Sequence, residues 1–146
     1  MATDITDPDR STHPALWASH QSWKAVQSHD KAAWLGLMAD DVVIEDPIGE
    51  AITNPDGQGV RGKEAVEAFY DTNIAVNNLS VDCEETFLSS NGSEVGHVLK
   101  LTSRFDGGLV SVVRGIFTYR TNEENLLTNL RGYWHMEAMT FTNEGE

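Results

Sequence analysis

The chain of 146 residues predicts an α+β fold, a curved antiparallel β-sheet wrapped around about three N-terminal helices to make a cone. Three observations carry this reading. Apolar residues recur at helical spacing in the first half of the chain, then switch to a spacing of two from Asn77 onward. Asn91-Gly92 and Asp106-Gly107-Gly108 punctuate the alternating runs as hairpin turns would. A sheet covered by helices on one face curves around them, and its concave side can hold a small ligand.

Residues 1–13 read as a flexible N-terminal tail, because Met1 to Ser11 carry three aspartates and lack the basic-then-apolar order of a secretion signal. A single domain is expected over residues 14–141, and residues 142–146 form a C-terminal tail. The first helix starts at Pro14, with Thr12 or His13 near the cap, and runs to about His29, burying Leu16, Trp17, Trp23 and Val26. Asp30 caps a second helix, Lys31 to Met38, that buries Trp34, Leu37 and Met38. The run to Asp46 is a strand, and Ala51 to Val60 is a loop built on the Asn54-Pro55-Asp56-Gly57 turn signal. Gly62 precedes a third helix, Lys63 to about Ala75, with Val66, Phe69, Tyr70 and Ile74 on one side.

In the meander, Leu79, Val81, Cys83 and Phe87 share one face of the first strand. His97, Leu99, Leu101, Ser103 and Phe105 share a face of the next, and Val113, Gly115, Phe117 and Tyr119 a face of the strand Leu109 to Arg120. The last strand, about Leu126 to Phe141, turns Leu130, Gly132, Trp134 and Met136 inward.

Composition excludes several classes of function. Acidic residues outnumber basic ones 23 to 10, for a net charge of −13, so nucleic acid and anionic membranes would be repelled. No apolar run approaches the length of a membrane span. The single cysteine, Cys83, excludes an internal disulfide, suits a cytoplasmic location and reads as a core thiol. His13, His20 and His29 have no ligand partner at compelling spacing, so no metal is expected.

Asp46 is the residue that stands out. Val42, Ile44 and Asp46 share one strand face, so the carboxylate continues an apolar stripe to the rim of the interior. Such a group is costly to ionise, which is one way to make a general base. The plainer reading is an Asp-Pro turn opener. The wider pattern favours the base. Met38-Ala39-Asp40-Asp41, then Val43-Ile44-Glu45-Asp46-Pro47-Ile48-Gly49, then Gly62-Lys63-Glu64-Ala65-Val66-Glu67-Ala68-Phe69-Tyr70, and finally Gly132-Tyr133-Trp134 together resemble the Δ5-3-ketosteroid isomerases. These belong to the nuclear transport factor 2-like (SnoaL-like) superfamily, and the whole sequence resembles its small actinobacterial steroid isomerase homologues.

The resemblance implies that Asp46 removes a proton beside a steroid ketone and returns it two carbons along, through a dienolate and without a cofactor. In that family a tyrosine and a protonated aspartate hydrogen-bond the dienolate oxygen, a well-known instance of carboxyl tuning. Here the tyrosine's place falls at about Ser22, beside Trp23, and the aspartate's at Gly115 or Phe117, so both donors are missing. Tyr70, His97, Tyr119 and Trp134 are the substitutes the chain offers, with Tyr70 foremost; Leu99 and Leu130 complete the expected ligand contacts. Tyr70 and Trp134 also read as core aromatics, and His97 as a core histidine. Two further functions stay open: a steroid-binding or other hydrophobic-ligand protein without turnover, and a polyketide cyclase or dehydratase on the same scaffold. Epoxide hydrolysis in this superfamily needs an Asp-Arg-Asp arrangement across inward positions, and Arg104 and Arg131 alternate outward from Leu101 and Trp134. The resemblance implies a homodimer, and outward Val98, Val112, Ile116 and Tyr133 independently leave an apolar outer face to cover.

Overall fold

The computed structural model describes residues 10–144. Helix α1 spans Pro14–Gln27. Proline fits the first turn because its missing N–H would have no partner there, and the His13 Nδ1 atom accepts the Leu16 N–H at 3.2 Å. Arg10 lies over the Trp17 ring at 4.6 Å. Of the expected N-terminal tail, residues 1–9 lie outside the described residues.

Helix α2 is shorter than its apolar pattern predicts, Lys31–Leu35, although Asp30 caps it as expected by accepting the Ala33 N–H. Met38 belongs to the next element, strand β1 (Met38–Glu45). The reason lies in the tertiary pairing: the Leu37 carbonyl accepts the Leu127 N–H at 2.8 Å, drawing the chain into the sheet before a second helical turn completes. Strand β2 (Val60–Arg61) pairs with β1, and Gly62, at φ 88°, opens helix α3 (Lys63–Phe69). The chain then widens into a π-helical turn, Tyr70–Ile74.

The meander follows: β3 (Asn78–Leu88), β4 (Glu94–Arg104), β5 (Leu109–Thr121) and β6 (Leu127–Tyr133). The sheet order is β2-β1-β6-β5-β4-β3, antiparallel throughout except for β1 beside β6. The expected last strand is broken. After β6 come a short 3₁₀ turn, Met136–Ala138, and strand β7 (Thr140–Asn143), which pairs with the first part of β5. The tail therefore does not fray where expected, since Thr142 and Asn143 pair with Val110 and Leu109; residues 145–146 lie outside the described residues.

One core fills the space between helices and sheet, with Leu16, Trp34, Val42, Ile44, Val66, Leu99, Phe117 and Leu127 nearly inaccessible. A bulge in β3 overturns part of the predicted pattern. Pairing passes from Cys83–Leu99 to Glu85–Val98, so one extra residue inverts the alternation beyond it. Thr86 takes the inward place opposite His97 and Phe87 turns out to solvent; Cys83, before the bulge on the strand that ends the sheet order, is exposed instead of being a core thiol.

Gly115 sits where β5 passes the end of β6. A Cβ there would lie 2.6 Å from the Tyr133 carbonyl oxygen, a backbone atom that cannot step aside. Gly115→Ala should therefore lower stability by about 1–3 kcal/mol, the usual cost of overpacking, as read from urea denaturation.

Candidate active site

The concave face of the sheet and the three helices enclose a cavity of about 300 Å³, within the range of small-molecule sites. Its wall is apolar and aromatic, and Asp46 is its one carboxylic acid among the described residues. No lysine, arginine or histidine lines it. Ile52, Val76 and Phe141, all more than half exposed, rim the mouth, whereas Trp34, Ile44, Leu99, Phe117 and Tyr119 are deep.

Asp46 reaches this cavity for the reason its strand pattern predicts. Val42 and Ile44 are buried on the same face, and Asp46 continues it past the end of β1, beside Gly132. The Trp134 indole N–H donates to Asp46 Oδ1 at 2.8 Å. Among the described residues no other side chain donates to this carboxyl, so its second oxygen is left for a ligand. Burial pushes the Asp46 carboxyl above the ordinary carboxylate range, and the Trp134 hydrogen bond, which favours the charged form, pulls it partly back. Gly132 makes the arrangement possible. A Cβ at that position would meet Phe117 Cε1 at 2.9 Å, Asp46 Oδ1 at 3.0 Å and Trp134 Nε1 at 3.1 Å.

The loop behind Asp46 is tied down by residues that sequence reasoning passed over. Thr53 Oγ1 donates to the Asp46 carbonyl. Asn54 is buried; its amide donates to the Pro47 carbonyl and its oxygen accepts the Gly59 N–H, both at 2.9 Å. The sequence signal was present, since Asn54 opens the Asn-Pro-Asp-Gly turn, but a turn residue and a latch look alike before folding.

Tyr119 is the polar group that accompanies Asp46. It pairs with Leu130, two residues before Gly132, and so lies one inward position, about 7 Å along the strand, beyond Phe117. The Trp23 N–H donates to the Tyr119 hydroxyl oxygen at 2.8 Å, which leaves the hydroxyl proton free to be donated. Burial, with the charge of Asp46, raises the Tyr119 pKa well above the usual tyrosine range, although the Trp23 bond opposes this. Tyr119 therefore stays a protonated donor.

The cavity also takes in Ser22, Trp23, Leu99, Phe117, Leu130 and Trp134 from the expected site. The Ser22 oxygen accepts the Trp34 N–H at 3.0 Å, which ties this short hydroxyl to helix α2. Three expected residues are not in the wall. Gly115 is occluded behind Tyr133 and Trp134. Tyr70 is buried against Trp34, ring centroids 5.5 Å apart, and the charges acting on its hydroxyl are Asp30, Lys31 and Asp71, outside the cavity. His97 is inward but fully buried behind Trp23 and Tyr119.

The hydrogen bonds of His97 assign its role. Ser19 Oγ donates to the Leu16 carbonyl, so His97 Nε2–H must donate to Ser19, at 2.9 Å, while Nδ1 accepts from Thr86 at 2.9 Å. A neutral imidazole satisfies both neighbours. Burial, with His20 nearby, lowers its pKa from 6.5 to about 3. No cluster of three or more His, Cys, Asp or Glu among the described residues is placed to hold a metal ion, and no helix among them is long and apolar enough to cross a membrane.

A cone of curved sheet over helices, with one acid in an apolar interior, defines a class that the sequence comparison identifies. The SnoaL-like domain matches residues 20–129, and the chain belongs to that family. Among solved structures it is similar to Rv0760c from Mycobacterium tuberculosis, at 61% identity over 90% of this chain and 98% of that one, TM-score 0.87. The same protein has been seen in complex with estradiol-17β-hemisuccinate (63% identity, 88% and 99% coverage, TM-score 0.86). It is equally similar to a Δ5-3-ketosteroid isomerase from Mycobacterium sp., at 60% identity over 89% of this chain and 99% of that one, TM-score 0.88. No curated protein matches the sequence.

The histidine offers a test of the core beside the site. Its folded pKa is about 3 against 6.5 unfolded, so between these values the unfolded state binds more protons and stability falls as pH is lowered. His97→Gln should flatten that decline, seen as a urea midpoint that changes less between pH 6.5 and pH 3.

Proposed function

We propose that this protein is a steroid Δ-isomerase that moves a double bond into conjugation with a ketone, with Asp46 as proton shuttle and Tyr119 as the oxyanion donor. The observation that carries the reading is the Asp46 carboxyl inside an apolar cavity, held at one oxygen by Trp134 and open at the other. The ionised carboxylate takes a proton from the carbon between the ketone and the double bond. The electron pair moves to the ketone oxygen, which becomes the dienolate oxygen. Tyr119 donates a hydrogen bond to that oxygen, and a donor aimed at developing charge inside a dry site is a large catalytic contribution. Asp46 then returns the proton two carbons along and the carbonyl re-forms.

Tyr119 thus takes the part that the resemblance gave to a tyrosine near Ser22. The Trp23 N–H polarises the Tyr119 phenol and makes its proton a better donor, as in any chain of hydrogen bonds. Similarity to a mycobacterial steroid isomerase supports a steroid over a polyketide substrate. The cavity's apolar wall suits a flat hydrocarbon skeleton, and the absence of any cation in that wall, among the described residues, suits a neutral one.

The test is turnover of a Δ5-3-ketosteroid to its conjugated enone, followed by ultraviolet absorbance. Asp46→Asn should lower kcat by about 10²–10⁴-fold, and Tyr119→Phe by about 10²–10³-fold with little change in KM. Undetectable turnover by the intact protein overturns the proposal. A second reading, steroid binding without conversion, is favoured by one observation: no carboxylic acid besides Asp46 lines the cavity among the described residues, so the acid donor that the resemblance implies has no counterpart. Calorimetry showing tight binding beside zero turnover selects it.

The outer face of the sheet supports a homodimer. Val98, Ile116 and Tyr133 fall in one registered row across β4, β5 and β6, and Ile116 and Tyr133 are each 51% exposed. A second copy of the same face covers such a row with the least new design. Sedimentation equilibrium at micromolar concentration should give twice the chain mass, and Ile116→Asp should shift it to the monomer.

A further inference from the structure

We infer that Ser103 and Ser111 form a second polar subsite at the opposite end of the cavity from Asp46, and that it selects neutral ligands bearing a hydroxyl or carbonyl oxygen at both ends. The inference rests on the steroid reading above and adds the specificity of its far end. The two serines are directly paired across β4 and β5, so their side chains stand side by side on the concave face. The row continues to Leu79 on one side and Phe141 on the other, so the hydroxyls form a polar spot inside an apolar strip. Ser111 is 6% exposed, and among the described residues neither hydroxyl meets a protein partner. Neither Oγ is sealed off from the cavity, so both hydroxyls are open to a ligand.

The Asn73 amide donates to the Phe69 carbonyl and the Asn77 amide to the Asn73 carbonyl, whereas the Asn77 Oδ1 has no partner and adds an acceptor to the two free serine hydroxyls. Their place is set by the break in the last strand, because β7 pairs with β5 at this row and brings Phe141 against it. Ser111 lies six residues before Phe117, the neighbour of Asp46; that is about 20 Å of straight strand and less around the bend. The intervening inward positions, Val113 and Leu101, are apolar. The cavity is therefore a greasy slot with a polar pair at each end. A hydroxyl both donates and accepts, so it fits either a hydroxyl or a ketone, whereas the lack of a cation in the wall disfavours a carboxylate or phosphate tail.

Calorimetry decides the matter with two 3-oxo-Δ4 steroids, one bearing a 17-hydroxyl and one lacking it, both unable to turn over. The intact protein should bind the hydroxylated ligand about tenfold more tightly, the worth of one well-made hydrogen bond. The Ser103→Ala/Ser111→Ala double variant should lose that tenfold for the hydroxylated steroid and bind the other unchanged; Ser111→Ala alone should lose part of it. Equal affinities of the intact protein for both ligands, or an equal loss with both in the variant, overturn the subsite while leaving the steroid site standing. Binding of neither steroid by the intact protein overturns the steroid reading and this inference together.

Discussion

The hydrogen bond from the Trp134 indole to Asp46 is the interaction on which the site depends. An isolated carboxylate in an apolar wall would take up a proton and cease to be a base. A free carboxylate in water would be too weak a base to draw hydrogen from carbon. One neutral donor, set against strong desolvation, places the group between these limits. It needs three things of the fold: β1 delivering Asp46 to the interior, β6 ending so that Trp134 reaches across, and a glycine at position 132 leaving room for both.

The same device recurs in the wall. Trp23 donates to Tyr119, Trp34 to Ser22, and Trp134 to Asp46. Each large aromatic body supplies the apolar surface that shapes the cavity, while its single N–H satisfies a polar group that burial would otherwise leave unpaired. The consequence for chemistry differs from one pair to the next. At Ser22 the bond ties a short, weakly acidic hydroxyl to helix α2. At Tyr119 it leaves the hydroxyl proton free and makes it more acidic. His97 stands behind this wall as a neutral brace between Ser19 and Thr86, packed edge-to-face with Trp23 and Tyr119. It steadies the donor without touching the cavity.

Irregularities decide the shape of the cone. The bulge in β3 inverts the alternation so that Thr86 can meet His97, and the missing side chain at Gly115 leaves room for Tyr133 and Trp134 at the end of β6. The break after β6 returns the chain along the start of β5, lengthening the concave face toward the mouth and setting Phe141 beside the serine pair. A straight final strand would have carried Met136 and Phe141 away from the cavity that both now line.

The amino-acid sequence by itself determined the fold class, the order of helices and strands, and the inward aim of Asp46, because these follow from local periodicity, caps and turn residues that each segment carries alone. Val42, Ile44 and Asp46 alternate whatever their neighbours do. Which polar groups accompany that carboxylate was decided only by tertiary structure. Tyr70 and Tyr119 are alike in the sequence, both inward aromatics; packing turned the first onto Trp34 and the second onto Trp23 within the cavity. Phe87 failed as a core residue because a one-residue bulge, invisible to a count of two, depends on what the partner strand pairs with, and Cys83 because β3 ends the sheet order. Hydrogen-bond partners far apart in the chain, Trp23 with Tyr119 and Trp134 with Asp46, exist only once the sheet has curved and brought them within 3 Å.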